Sequence, residues 1–203
     1  MKKYIEQGME YSEYIGLIDR LLDQRKTTGP NQSEEMFNYG KLNRQRMRRL
    51  GKTVDLSESL AKRARSIERK MVWLIITESW CGDAAQSIPI FEKIARESSN
   101  IKTIYVFRDE NLELMDKYLT NDARSIPKLI ALDSETLEEL GTWGPRPRRA
   151  MEYFYEMRET GLEKSEMMEN LQRWYLKDKE RSIQEEFEEF LTELESVKVA
   201  VTA

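Results

Sequence analysis

Met71-Val72-Trp73-Leu74-Ile75-Ile76 is an unbroken apolar run, followed almost at once by Trp80-Cys81-Gly82-Asp83-Ala84 and a helical pattern. A run without alternation suits a strand covered on both faces, as in the sheets of layered α/β folds. This strand–turn–helix order constrains the fold more than any other feature of the chain. It also constrains the chemistry. Cys81 is the sole cysteine, and it opens the helix, where free N–H groups and the positive end of the helix dipole stabilise a thiolate. Where a C-x-x-C motif would supply a second thiol, the sequence has Ala84.

One cysteine rules out an intrachain disulfide and any Cys₂ or Cys₄ metal site, so no metal is expected. The absence of histidine removes the usual zinc sites, Ser-His-Asp hydrolysis and Cys-His proteolysis in their ordinary forms. At 203 residues the chain is long enough for a sizeable core, in one domain or one domain with extensions. The segment from Met1 is amphipathic and not of signal-peptide type, and no apolar run approaches the roughly 20 residues of a membrane helix. With no disulfide framework, the cytoplasm is the expected compartment.

The net charge of −4 conceals an asymmetry. Lys41 to Lys70 holds eleven Lys or Arg against three acids, whereas Glu152 to Glu195 holds fourteen acids against six bases. The basic block reads as a solvated helix face set against acidic C-terminal helices. A nucleic-acid surface is the lesser reading, because interleaved aromatics and a recognisable nucleic-acid motif are both missing there.

Three zones follow. Residues 1–70 read as a helical extension. Tyr11, Tyr14, Ile15, Ile18, Leu21 and Leu22 share one helical face, and Thr27 to Ser33 then breaks the pattern. Asn31 or Ser33 caps the next helix, and Asp55-Leu56-Ser57-Glu58 starts a third that carries Leu60, Ala61, Ala64 and Ile67. The middle zone, 71–157, alternates: a strand at 71–77, a helix near 83–97, a strand at 101–107 and a helix from Asp109 through Tyr118. Strands at 127–132 and 136–141 then form a hairpin around Asp133-Ser134-Glu135, and a helix follows Gly144-Pro145-Arg146-Pro147. This βαβαββα order predicts an α/β fold with a four-stranded mixed sheet and an antiparallel edge. The third zone, 158–203, is a helical C-terminal extension. Its stripes (Met167, Met168, Leu171, Trp174, Tyr175, and then Ile183, Phe187, Phe190, Leu191, Leu194) read as packing faces. A capping box Ser182-x-x-Glu185 opens the second of its helices, and only the last few residues are expected to be disordered.

Residues 71–157 resemble the core of the thioredoxin family, on three landmarks in order. They are Trp80-Cys81-Gly82 with Pro89 in the helix that follows, Ser125-Ile126-Pro127 at the family's cis-proline, and Gly144 in the loop after the hairpin. The whole chain further resembles a bacterial branch with a W-C-G-D-A active-site motif. The resemblance implies a thioredoxin-like sheet with N- and C-terminal helical extensions packed on it. It also implies that Cys81 is the nucleophile. Trp80, Gly82, Asp83, Ala84, Ile126, Pro127, Trp143 and Gly144 form the active-site surface, with Ile126–Pro127 cis.

The departures are equally informative. The family's resolving cysteine falls on Ala84, its helix-turn proline on Asp83, its buried acid on Ile75 and that acid's lysine partner near Tyr105. Dithiol exchange within the chain is therefore not expected. What remains is monothiol redox chemistry: Cys81 attacks a protein or small-thiol disulfide, and an external low-molecular-weight thiol releases it, with no other cofactor. Helix placement lowers the thiol pKa and Asp83 raises it. In the thioredoxin frame Arg124, Arg146, Arg148 and Arg149 are expected near the site, either to offset Asp83 or bind an anionic thiol, or to stand as surface arginines that flank turns. Cys81 is expected to be solvent-accessible, with Trp80 an exposed hydrophobic rim and Ile126-Pro127 a backbone edge for an extended peptide. The same surface without exchange chemistry is the alternative, a non-catalytic protein-binding module. A third reading, iron–sulfur ligation with an external thiol by analogy with C-G-F-S monothiol glutaredoxins, is the weakest. Asp83 and Ala84 stand where that motif has Phe and Ser.

Overall fold

Every residue of β1 (Met71–Thr77) is buried, as an unbroken apolar run requires of a strand covered on both faces. Beside it β2 (Ile101–Phe107) runs parallel, with Met71 opposite Ile101 and Thr77 opposite Phe107. On its other side β3 (Lys128–Asp133) runs antiparallel, with Ile76 opposite Lys128. β4 (Glu139–Trp143) returns antiparallel to β3, giving the order β2-β1-β3-β4. This is the expected mixed sheet with an antiparallel edge. The computed structural model describes residues 1–198; the expectation of a disordered C-terminal tail falls outside the described residues.

Before the sheet come α1 (Lys2–Gln7), α2 (Tyr11–Asp23), α3 (Glu34–Thr53) and α4 (Glu58–Arg65). Ser33 caps α3, its Oγ accepting the Met36 N–H at 3.4 Å, and Ser57 caps α4 through the Leu60 N–H at 3.2 Å. Because α4 stops at Arg65, Ile67 enters the core from the loop beyond it. Tyr14 of α2 stacks on Tyr105 of β2, ring centroids 4.8 Å apart. Met9 exchanges two backbone hydrogen bonds with Tyr105, which blunts the free edge of β2.

α5 (Gly82–Glu97) crosses from β1 to β2. Two elements after it differ from expectation. The helix expected from Asp109 to Tyr118 is a single turn, α6 (Leu112–Met115), because Glu78 Oε1 takes the Asp109 N–H and Arg108 takes its carboxylate. β4 starts at Glu139 and not at Thr136, because Asp133 Oδ1 accepts the N–H groups of Glu135 and Thr136, both at 3.0 Å, and closes a wider turn.

After the sheet come α7 (Arg148–Glu159), α8 (Lys164–Asp178) and α9 (Arg181–Ser196). α9 lies on the sheet beside α5. The fully buried Phe187 has its ring centroid 5.7 Å from that of Trp73 in β1 and 5.2 Å from that of Phe91 in α5. α7 and α8 instead pack on each other, around a separate cluster of Ala150, Met157, Met167, Leu171 and Tyr175. Ser182 does not cap α9 as expected. It lies inside the helix, with its N–H and hydroxyl both donating to Asp178. The acidic C-terminal helices meet the basic block only in part: Arg63 of α4 faces Glu195 of α9 at 3.7 Å, whereas Arg44 of α3 pairs with Asp19 of α2 at 2.7 Å. Among the described residues no helix is long and apolar enough to cross a membrane.

Candidate active site

The turn between β1 and α5 delivers Cys81. Its N–H bonds to the Glu78 carbonyl at 3.1 Å, which closes the turn, and φ −79° with ψ 117° makes it the N-cap of α5. Sγ accepts the Ala84 N–H at 3.4 Å, and the S–H donates to the Ile126 carbonyl at 3.2 Å. The expected exposure is not found, for Cys81 is only 7% exposed. Nor is its pKa low. Burial first, and the Asp83 carboxylate second, push the thiol up to about 12, against the opposing pull of the Ala84 and Asp83 N–H groups and of Arg146. A helix N-terminus contributes on the order of 1 kcal/mol to an anion, whereas burying a charge costs several kcal/mol after relaxation. The larger effect wins.

Asp83 is itself buried between two partners. Its Oδ2 accepts from Arg146 Nη2 at 2.6 Å and its Oδ1 from the Tyr175 hydroxyl at 2.7 Å. Burial raises the Asp83 pKa despite both of them. Arg146 also lies over the Phe154 ring, 4.4 Å from its centroid. It is the one arginine of the four expected here that reaches the site. Arg124 pairs with Asp116, Arg148 with Glu186 and Glu189, and Arg149 with Glu185.

The Ile126–Pro127 peptide is cis, and Gly144 closes against it at φ +117°. A Cβ at Gly144 would stand 2.2 Å from the Pro127 carbonyl oxygen, so only glycine fits. Cys81, Asp83, Ala84, Ile126, Pro127 and Gly144 therefore converge, and the two tryptophans turn elsewhere. Trp143 is buried with Nε1 donating to Glu186 at 2.8 Å. Trp80 is half-buried under Arg108, which stands 4.8 Å above its ring, and is not the open rim expected of it.

The family model described as thioredoxin matches residues 29–160. The chain belongs to the thioredoxin family. Two crystal structures are similar to it over almost their whole length. One is an HIV epitope scaffold, 17% identical with a TM-score of 0.61, covering 97% of this chain and 98% of that one. The other is a protein of unknown function from Pseudomonas aeruginosa, 17% identical with a TM-score of 0.60, covering 96% of each chain. These likenesses concern the fold alone, and they extend to the helices on both sides of the thioredoxin sheet. No curated protein sequence matches.

Four residues of this thioredoxin site escape sequence reading. Tyr175 and Gln172 come from α8: Gln172 Oε1 accepts from Gln86 Nε2 at 2.8 Å, and its Nε2 lies 2.9 Å from where a Gly82 Cβ would stand. The sequence places Tyr175 in a packing stripe only and gives Gln172 no role. Glu78 is a fully buried acid in the turn that carries Cys81, and burial pushes its carboxyl up to about 7. Its signal is an ionisable residue set between an apolar strand and Trp80-Cys81-Gly82. Lys128, buried at the start of β3, donates from Nζ to Thr120 Oγ1 at 2.8 Å and to the Gly144 carbonyl at 3.3 Å, and burial lowers its pKa.

Proposed function

We propose that this thioredoxin-family protein exchanges disulfides through Cys81 as a monothiol, with an external small thiol completing the cycle. The position of Sγ carries the reading. It sits at the N-cap of α5 with the Ala84 N–H directed at it, against the Ile126 carbonyl beside Pro127. An N–H directed at sulfur favours the anion once water reaches the site, and Arg146 acts in the same direction. The substrate is a protein or small-thiol disulfide, and the small thiol is a co-substrate.

The cycle balances on thiols alone. The Cys81 proton passes to water, and the thiolate attacks one sulfur of R–S–S–R′, forming Cys81–S–S–R as R′S⁻ leaves. The chain has no second cysteine to displace it. An external thiolate R″S⁻ attacks the R sulfur instead, R–S–S–R″ forms and Cys81 leaves as the thiolate. No electrons enter or leave the set of reacting sulfurs.

The burial of Sγ favours a second reading, a non-catalytic thioredoxin-fold module that binds a partner protein. One experiment separates the two. After incubation with a small symmetrical disulfide, intact mass should show a single adduct on the wild type, removed by added small thiol, and none on Cys81→Ser. A native wild type that stays as unmodified as Cys81→Ser rejects exchange and leaves the binding module.

A further inference from the structure

Cys81 is buried at the head of α5, and the α7–α8 hairpin meets that end of the helix beside it. α8 meets the head of α5 through polar contacts: Tyr175 to Asp83 at 2.7 Å and Gln172 to Gln86 at 2.8 Å, with Gln172 Nε2 over Gly82. Its apolar residues Met167, Leu171 and Tyr175 bury against Ala150 and Met157 of α7, in a cluster separate from the main core. α9, by contrast, drives Phe187, Leu191 and Leu194 fully into the main core. Apolar burial fixes α9 to the sheet, whereas hydrogen bonds, each with a small net contribution in competition with water, hold α8 to α5.

Both ends of α8 suit a moving element. Gly161 precedes it at φ +73° with nothing within 4 Å of its Cβ position. Lys179 at φ 52° and Glu180 at φ 59° follow it, two successive non-glycine residues in the left-handed region. L side chains occupy that region at a cost, so the junction between α8 and α9 carries backbone strain.

We infer that the α7–α8 hairpin is a lid that closes over Cys81 and gates its chemistry. When it is closed, the thiol is dry, protonated and bonded to the Ile126 carbonyl. When α8 lifts, Tyr175 and Gln172 leave, water reaches Sγ, and the Ala84 N–H stays with α5 to receive the thiolate. Access and thiolate formation rise together, since burial opposes both. The lid stands on geometry; its purpose rests on the exchange reading above.

Alkylation of Cys81 by iodoacetamide in the native full chain reports the open population. Tyr175→Phe keeps the ring in the α7–α8 cluster and removes the hydrogen bond to Asp83, and Gln172→Ala removes the other contact. Each is expected to raise the alkylation rate roughly tenfold, the loss of about one hydrogen bond to a charged or polar buried partner. In the wild type, hydrogen exchange should show α8 amides less protected than those of β1. Rates equal to wild type in both variants, or α8 amides as protected as those of β1, overturn the lid. Faster alkylation of the variants without any mixed disulfide keeps the lid and removes the exchange reading.

Discussion

Glu78 and Cys81 stand at the two ends of one turn, and burial acts on both in the same sense, favouring the neutral form of each. Glu78 gives the cleaner test because it is fully buried and its carboxyl is pushed up to about 7. An unfolded glutamate titrates near about 4.3. Between those values the native state binds more protons than the unfolded state, so the contribution of Glu78 is fully present below about pH 4 and is lost as pH rises through about 7. Glu78→Gln retains an acceptor for the Asp109 N–H and cannot ionise. Urea unfolding at several pH values should therefore show Glu78→Gln gaining on the wild type between about pH 4.5 and 7.5, by on the order of 3 kcal/mol. A pH-independent difference between the two would mean that Glu78 is ionised throughout. The raised Cys81 thiol contributes stability of the same sign at higher pH, present below about 8.5 and lost above it.

α8 and α9 carry similar stripes yet do different jobs, and mutation should separate them. Phe187→Ala empties a site between Trp73 and Phe91 and should destabilise the whole molecule by about 3–5 kcal/mol in urea unfolding followed by tryptophan fluorescence. Leu171→Ala, in the α7–α8 cluster, should shift that transition much less while accelerating modification of Cys81. Equal shifts for the two would mean that the hairpin belongs to the main cooperative unit. The same contrast marks where sequence reading stops. The β1 run, the N-cap position of Cys81 and the succession of strands and helices along the chain were legible because each follows from local pattern: uniform burial, a turn before a helix, alternation of period. The stripe through Phe187 and the stripe through Leu171 each announce a buried face, but periodicity does not say what covers it. The truncated α6 and the late start of β4 depend on where Asp109 and Asp133 find partners, which spacing alone leaves open. The contacts of α8 with the head of α5, Tyr175 to Asp83 and Gln172 to Gln86, arise only from tertiary folding. Arg146 was separated from Arg124, Arg148 and Arg149 only by the acids each of them meets.

In the whole molecule, the sheet and α5 present the thiol, α9 anchors the C-terminal end on the main core, and α8 meets the head of α5 beside Cys81. The family match ends at residue 160, so α8 and α9 lie beyond it, yet both structural likenesses run through almost the entire chain. Of the proposed lid, α7 thus lies within the thioredoxin match and α8 lies beyond it. Steady-state exchange between a small disulfide and a small thiol, measured for wild type, Tyr175→Phe and Cys81→Ser, tests the latent monothiol most directly. Expected is slow turnover by the wild type, turnover by Tyr175→Phe that is faster in proportion to its faster Cys81 alkylation, and only the uncatalysed rate with Cys81→Ser. Identical rates for all three proteins would contradict a gated exchange thiol at Cys81.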